Sequence, residues 1–368
     1  MVVENGHRVT YVTHGKYRRE VESVGARLVA TSTEYGGLSS GFVSDPVLGP
    51  IISVIRSGTS EIQANLTQLT RYFSADPPDV VCVNYASQLG FALADCLARP
   101  RVTLYPTFAW SRCVEEKIYG RIRDDSHIAQ AIQERKAVAT RLNFTIPRHV
   151  PFGSPSGLNL VSIPRSFQWG AEEFDETFVF MGPSLAAHPG STEWNRNLPD
   201  RPLVYISLGT TYTNNLHFFR RCIDVFSDGV FEVAMSIGDQ ISFADLGSIP
   251  ENFEVRNFLP QVSVLSRASV FVTHGGTGSV MEAISLQVPM VALPQQGDQA
   301  LYAQKIESLG VGVDYSKLED PELTRLHETV TKVNSDATVR RRLASLRAEI
   351  DAEGGLQKGV QALEEYIS

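Results

Sequence analysis

Phe271-Val272-Thr273-His274-Gly275-Gly276-Thr277-Gly278-Ser279 is the stretch that decides the fold. It runs from an apolar, β-forming segment (Ser269–Thr273) through a glycine-rich turn into an apolar segment with helical spacing, Ser279–Gln287. A strand that turns straight into a helix is half of a βαβ unit. Glycines in the turn let backbone N–H groups come close to an anion, and the helix start adds unpaired donors and a positive partial charge. His274, at the strand end, is placed to donate to a phosphate oxygen. Ser279 and Glu282 also have the spacing of a capping box, so the residues alone equally describe a capped helix after a tight turn. Neighbouring anion motifs do not fit. No lysine follows the glycines, and Met281 stands where a dinucleotide fingerprint has its third glycine. Asp-x-Asp occurs nowhere, so the expectation is a diphosphate held without metal by backbone, histidine and serine.

Outward from this stretch, Leu203–Leu208, Phe231–Ile237, Phe253–Phe258 and Pro289–Leu293 read as four more strands, with helical segments such as Leu216–Phe226 between them. Upstream, Arg8–Thr13, Val80–Val83 and Val102–Tyr105 read as strands, with a helix from about Gln88 to Leu97. Near-continuous apolar strands separated by helices predict parallel sheets covered on both faces. In such sheets ligands bind beyond the carboxyl ends of the strands. Two further strand ends are polar and glycine-bearing: Ser207-Leu208-Gly209-Thr210-Thr211 and Pro294-Gln295-Gln296-Gly297-Asp298-Gln299. Both are expected at the same edge as His274. Pro189, Gly190, Pro199 and Asp200 give residues 188–201 the chemistry of a linker, which divides the chain into domains 1–195 and 196–368. The charged tail, Thr338–Ile367, reads as helical and is assigned to the second domain.

The 368 residues suit two α/β domains, and 33 basic against 41 acidic residues give a net charge of −8. That balance argues against nucleic acid as a partner, which needs a basic face. No apolar run approaches the roughly 18 residues of a membrane helix, and no signal peptide is visible ahead of His7. Four cysteines without a CxxC pair give no structural zinc site or disulfide framework. The expectation is a cytoplasmic protein without integral membrane association.

Phe258-Leu259-Pro260-Gln261, Val264-Leu265, Phe271–Ser279, Glu282, Pro289-Met290, Pro294 and Asp298-Gln299 together resemble the donor-binding signature of family 1 glycosyltransferases, in particular the bacterial macrolide glycosyltransferase group. Ser166-Phe167-Gln168, Phe178–Leu185 and Ser207-Leu208-Gly209-Thr210 extend the resemblance over nearly the whole chain. It implies the GT-B fold: α/β, with two doubly wound Rossmann-like domains facing a cleft, acceptor bound in the first and nucleotide-sugar donor in the second. Residue by residue, it implies that Phe258 stacks on the base and Gln261 reads the base edge. Glu282 would accept from the ribose hydroxyls, and His274, Gly276, Thr277, Gly278 and Ser279 would hold the diphosphate. Thr210 would add a donor to the diphosphate, and Asp298 and Gln299 would bind sugar hydroxyls. The implied reaction is inverting transfer of a sugar from a UDP- or TDP-sugar to a hydroxyl of a macrolide, polyketide or flavonoid, with no cofactor. The Asp298-Gln299 ending and Gly182-Pro183-Ser184 favour this over another GT-B enzyme such as a nucleotide-sugar epimerase. Candidate acceptor walls are Tyr35–Ile55 and Phe108-Ala109-Trp110.

Two departures from the family pattern stand out. Val2–Thr10 resembles the end of the family's first helix and its next strand, so the first strand and the loop with the catalytic histidine are expected to be missing, through a misassigned start or a fragment. Loss of that central strand would leave unpaired edges on both of its neighbours. Independently, Asn84 stands where the family has the aspartate that orients the histidine, and an amide cannot stabilise an imidazolium as a carboxylate does. None of His7, His14, His127, His149, His188, His217 and His327 has a recognisable partner that would make it a replacement base. The alternative implied is a catalytically impaired nucleotide-sugar-binding paralogue, with a homodimer or an auxiliary subunit as possible partners.

Overall fold

The computed structural model describes residues 1–32, 48–120, 125–146, 155–183, 193–210, 213–295 and 298–368. They form two compact units, Met1–Gly182 with Gly354–Ser368, and Pro183–Glu353.

The first unit carries two parallel sheets. Strands β1 (Thr10–His14) and β2 (Arg27–Thr31) pair with each other, and β3 (Val81–Asn84), β4 (Arg101–Tyr105), β5 (Leu158–Val161) and β6 (Phe178–Phe180) follow in sequence order. Among the described residues, β1 bonds only to β2 and β3 only to β4, so each keeps one edge without a ladder partner. Ahead of β1, Met1–Gly6 make one turn, with Asn5 N–H donating to the Met1 carbonyl and Gly6 in the left-handed region. The helices are α1 (Arg18–Ser23), α2 (Leu48–Ala75), α3 (Gln88–Cys96), α4 (Arg112–Tyr119) and α5 (Ser126–Leu142). In α2, Ile62, Leu66, Leu69 and Phe73 recur at helical spacing and bury against Leu89, Ala92 and Leu93 of α3, with Val12 and Val29 on the same cluster. The start of α2 packs Ile51, Ile52 and Ile55 on Ile128 and Ala131 of α5.

The second unit has one six-stranded parallel sheet in the order β12-β11-β10-β7-β8-β9. Its strands are β7 (Leu203–Ser207), β8 (Glu232–Ser236), β9 (Phe253–Arg256), β10 (Val270–Thr273), β11 (Met290–Ala292) and β12 (Gly312–Asp314). Its helices are α6 (Leu216–Val225), α7 (Phe243–Leu246), α8 (Gln261–Leu265), α9 (Thr277–Ser285), α10 (Gln299–Ser308), α11 (Leu326–Ser335) and α12 (Ala337–Ala352). The chain lays down β7, β8 and β9 outward, then returns to place β10 beside β7. The order therefore reverses between β7 and β10, the point at which doubly wound sheets bind ligands. Alternation sorts the residues of β7 and β10: Val204, Ile206, Val270 and Val272 join the cluster under α6 and α11, while Tyr205 and Phe271 lie on the other face.

The tail corrects the expected division of the chain. Gly354 and Gly355, both at positive φ, break the last helical stretch in two, and α13 (Gly355–Ile367) belongs to the first unit. There Leu363 packs with Val102, Leu158, Leu160 and Met181, and Glu364 accepts from Asn5 Nδ2 at 2.9 Å. The physical reason is an uncovered apolar flank of β5 and β6, which the amphipathic last helix closes.

Candidate functional site

The site grows from two matching turns. At the end of β10 the Thr273 hydroxyl accepts from Gly275 N–H, and at the end of β7 the Ser207 hydroxyl accepts from Gly209 N–H, both at 3.2 Å. Gly275 and Gly209 take φ of +82° and +81°, a region costly for residues with a Cβ. Between the turns lies the His274 ring. A Cβ on Gly276 would stand 2.3 Å from His274 Nε2, and one on Gly209 would stand 2.6 Å from its Cε1. Glycine at both positions is therefore a packing requirement of the imidazole. Among the described residues His274 Nδ1 is buried without a hydrogen-bond partner. Burial pulls the ring's pKa down to about 4, only partly opposed by the Ser207 backbone, so the imidazole is neutral near pH 7.

Helix α9 starts at Thr277 with Gly276 as N-cap and no side-chain cap. The capping box open to Ser279 and Glu282 is not formed, because the helix begins two residues before Ser279. This helix start lies next to a neutral histidine and at the sheet's reversal point. Thr210, after Gly209, is exposed.

Phe258 follows β9 and is 57 % exposed, an open aromatic face at the same edge. Gln261 begins α8, and its amide Nε2 donates to Glu282 Oε2 at 2.7 Å and to Ser279 Oγ at 3.1 Å. The structure thus ties together three of the expected donor residues, and it spends the Gln261 amide on Glu282 rather than on an open edge. Asp298 is exposed at the start of α10. Gln299 is 7 % exposed, and its Oε1 accepts from Gln295 N–H at 2.7 Å, which shapes the turn after β11 from within. Gln296, Gly297 and Thr211 lie outside the described residues.

In the first unit, Asn84 ends β3 and its Oδ1 accepts from Ala86 N–H at 3.0 Å, the geometry of an Asx turn. Of the acceptor walls, Phe108 and Ala109 are core. Phe108 stacks on Phe167, and Gln168 brackets Ala109 by accepting from its N–H at 2.8 Å and donating to its carbonyl at 3.0 Å. Trp110 alone of that run is half-buried. Of Tyr35–Ile55, residues 35–47 lie outside the description, while Ile51, Ile52 and Ile55 are interior to the α2–α5 packing. Four of the other histidines lie against carboxylates, His7 with Glu364, His127 with Asp125, His217 with Glu322 and His327 with Asp228, and His14 Nδ1 accepts from Lys16 N–H, while His149 and His188 lie outside the described residues.

Comparison with known proteins fits this geometry. Residues 223–366 match the family described as "Erythromycin biosynthesis protein CIII-like, C-terminal domain". An NDP-glycosyltransferase of Bacillus subtilis (strain 168) is 31% identical over 369 residues, covering 99% of this chain and 91% of the relative. The oleandomycin glycosyltransferase of Streptomyces antibioticus is 30% identical, covering 99% and 85%. A solved calicheamicin glycosyltransferase superposes with a TM-score of 0.83 at 28% identity, covering 99% of this chain and 92% of the other. The glycosyltransferase of kitacinnamycin gives 0.85 at 29%, with the same coverage. The chain belongs to the family 1 glycosyltransferases of GT-B fold, enzymes that move a sugar from a donor to an acceptor. No helix among the described residues is long and apolar enough to cross a membrane.

Proposed function

We propose that the chain transfers a sugar from a UDP- or TDP-sugar to a hydroxyl of a small natural product of macrolide, polyketide or flavonoid type, with inversion at the anomeric carbon. The observation that carries the donor half is the neutral His274 held between Gly209 and Gly276 at the start of α9. In this reading the acceptor hydroxyl gives up its proton to a base and its oxygen attacks the anomeric carbon. The bond to the diphosphate oxygen breaks on the opposite face, and the nucleoside diphosphate leaves with the electron pair. The α9 amides and His274 meet the charge that develops on it. Phe258 offers the base a stacking face, and Glu282 offers the ribose an acceptor. The acceptor class rests on the antibiotic glycosyltransferases among the relatives. The reading requires neither metal nor organic cofactor, so transfer is expected to survive EDTA.

Calorimetric titration of UDP and thymidine diphosphate tests the donor half. The wild type is expected to bind at least one of them, and His274→Ala to weaken that binding on the order of 10–100-fold, the scale of a hydrogen bond to a charged group. Unchanged affinity in the variant would remove His274 from the diphosphate site. The second reading, a binder with impaired turnover, is favoured by Asn84, whose carbonyl is spent on the Asx turn. Release of nucleoside diphosphate in the presence of a panel of small hydroxylated acceptors separates the two readings.

A further inference from the structure

Tyr205 is the middle residue of β7, 1 % exposed, with its ring stacked on Phe271 at a centroid distance of 5.0 Å and an interplanar angle of 10°. Phenylalanine would fill that place as well. The buried hydroxyl therefore calls for a reason of its own, because a polar group taken out of water destabilises the fold unless it is bonded. Its bonds form a directed relay. Leu259 N–H donates to Ser236 Oγ at 3.2 Å, Ser236 lies 3.2 Å from the phenol oxygen, and the phenol donates to Gln261 Oε1 at 3.4 Å. The Gln261 amide nitrogen then donates to Glu282 and Ser279. Burial above all, with the Glu282 charge adding to it, raises the pKa of the phenol, so it stays a donor. A donor against Oε1 decides which end of the amide faces which way. Flipped, the amide would set its oxygen against the Glu282 carboxylate. In the observed orientation Gln261 occupies only Oε2 of Glu282.

We propose that Tyr205 is a positioning residue for the nucleoside diphosphate: through Gln261 it fixes the Glu282 carboxylate with one oxygen kept for the ribose. This rests on reading the site as a nucleotide-sugar site. The test titrates UDP and thymidine diphosphate, and the 3′-deoxy analogue of whichever binds more tightly, into wild type, Tyr205→Phe, Gln261→Ala and the double variant. Tyr205→Phe is expected to weaken the tighter nucleotide roughly 3–10-fold, the scale of one hydrogen bond, and to shrink its advantage over the 3′-deoxy analogue. It should add no further loss in the Gln261→Ala background. Wild-type affinity in Tyr205→Phe, a loss that persists undiminished without Gln261, or a loss that leaves the 3′-deoxy ratio untouched would each overturn the proposal. A wild type that binds neither nucleotide would overturn the site reading itself, and the proposal with it.

Discussion

The two units treat their strands differently. In the second unit every residue of β7, β8, β10 and β11 is buried, whereas β1 and β3 of the first unit leave half or more of theirs at least partly open to solvent. A sheet covered on both faces has one place left for polar chemistry, the rim where its strands end. Ser207, Thr273 and His274 sit on that rim and hold the glycine turns. In the first unit exposure is spread along strands such as β1, and the polar residue that ends β3, Asn84, is exposed and closes an Asx turn. Side chains at the buried rim are held by packing and can bind. Those on the open strands answer mainly to water.

The largest effect that tests this contrast is removal of α13. Truncation before Gly354 uncovers Val102, Leu158, Leu160 and Met181, and is expected to abolish the first unit's thermal transition while nucleotide binding to the second persists. Leu363→Ala is the graded version, expected to cost about 2–4 kcal/mol by denaturant titration. Next is pH. His274 has its pKa depressed from 6.5 to about 4, so the unfolded chain takes up this proton first as pH falls. Its contribution is full above about 6.5 and is lost on descending toward 4, at most about 3 kcal/mol from this group. His274→Gln should flatten that part of the stability–pH curve, and wild-type nucleotide affinity should not change between pH 6 and 8 through this residue. Gly276→Ala comes third. Its methyl displaces the imidazole, so nucleotide affinity should fall by about tenfold or more while the melting temperature changes little. The smallest effect belongs to Arg135 of α5, which is 1 % exposed and, among the described residues, donates to the Thr59 hydroxyl and the Ile55 carbonyl and meets no carboxylate. It is a desolvated charge, and Arg135→Met should be neutral or stabilising by up to about 1 kcal/mol.

The same contrast governs how much could be read from the chain alone. Of the five runs that became β7–β11, β7, β10 and β11 are nearly continuous apolar stretches, while β9, Phe253-Glu254-Val255-Arg256, alternates. β12, Gly312-Val313-Asp314, carries no such pattern, since it is three residues long and includes a glycine and an acid. In the first unit Gly49, Pro50 and Gly58 look like loop, yet all fall within α2, where the packing of Ile51, Ile52 and Ile55 on α5 overrides local propensity. His274 and its glycines were legible as a local motif. The bond from Gln261 to Glu282 was not, since 21 residues separate them and only the reversal of strand order brings α8 against α9. Tyr205 gave no signal at all, because a tyrosine in an apolar strand reads as core.

The return of α13 also orders the protein's birth. Everything the second unit needs is synthesised between Pro183 and Glu353, but the first unit is closed by residues made after them. At about 5–20 residues per second, roughly ten to thirty seconds separate Gly182 from Gly354 on the ribosome. Throughout that interval the nascent first unit waits with the flank of β5 and β6 bare, while the second unit is still being made. The second unit is thus complete one helix before the first, and until α13 emerges the bare flank is the part of this chain that a chaperone would have to cover.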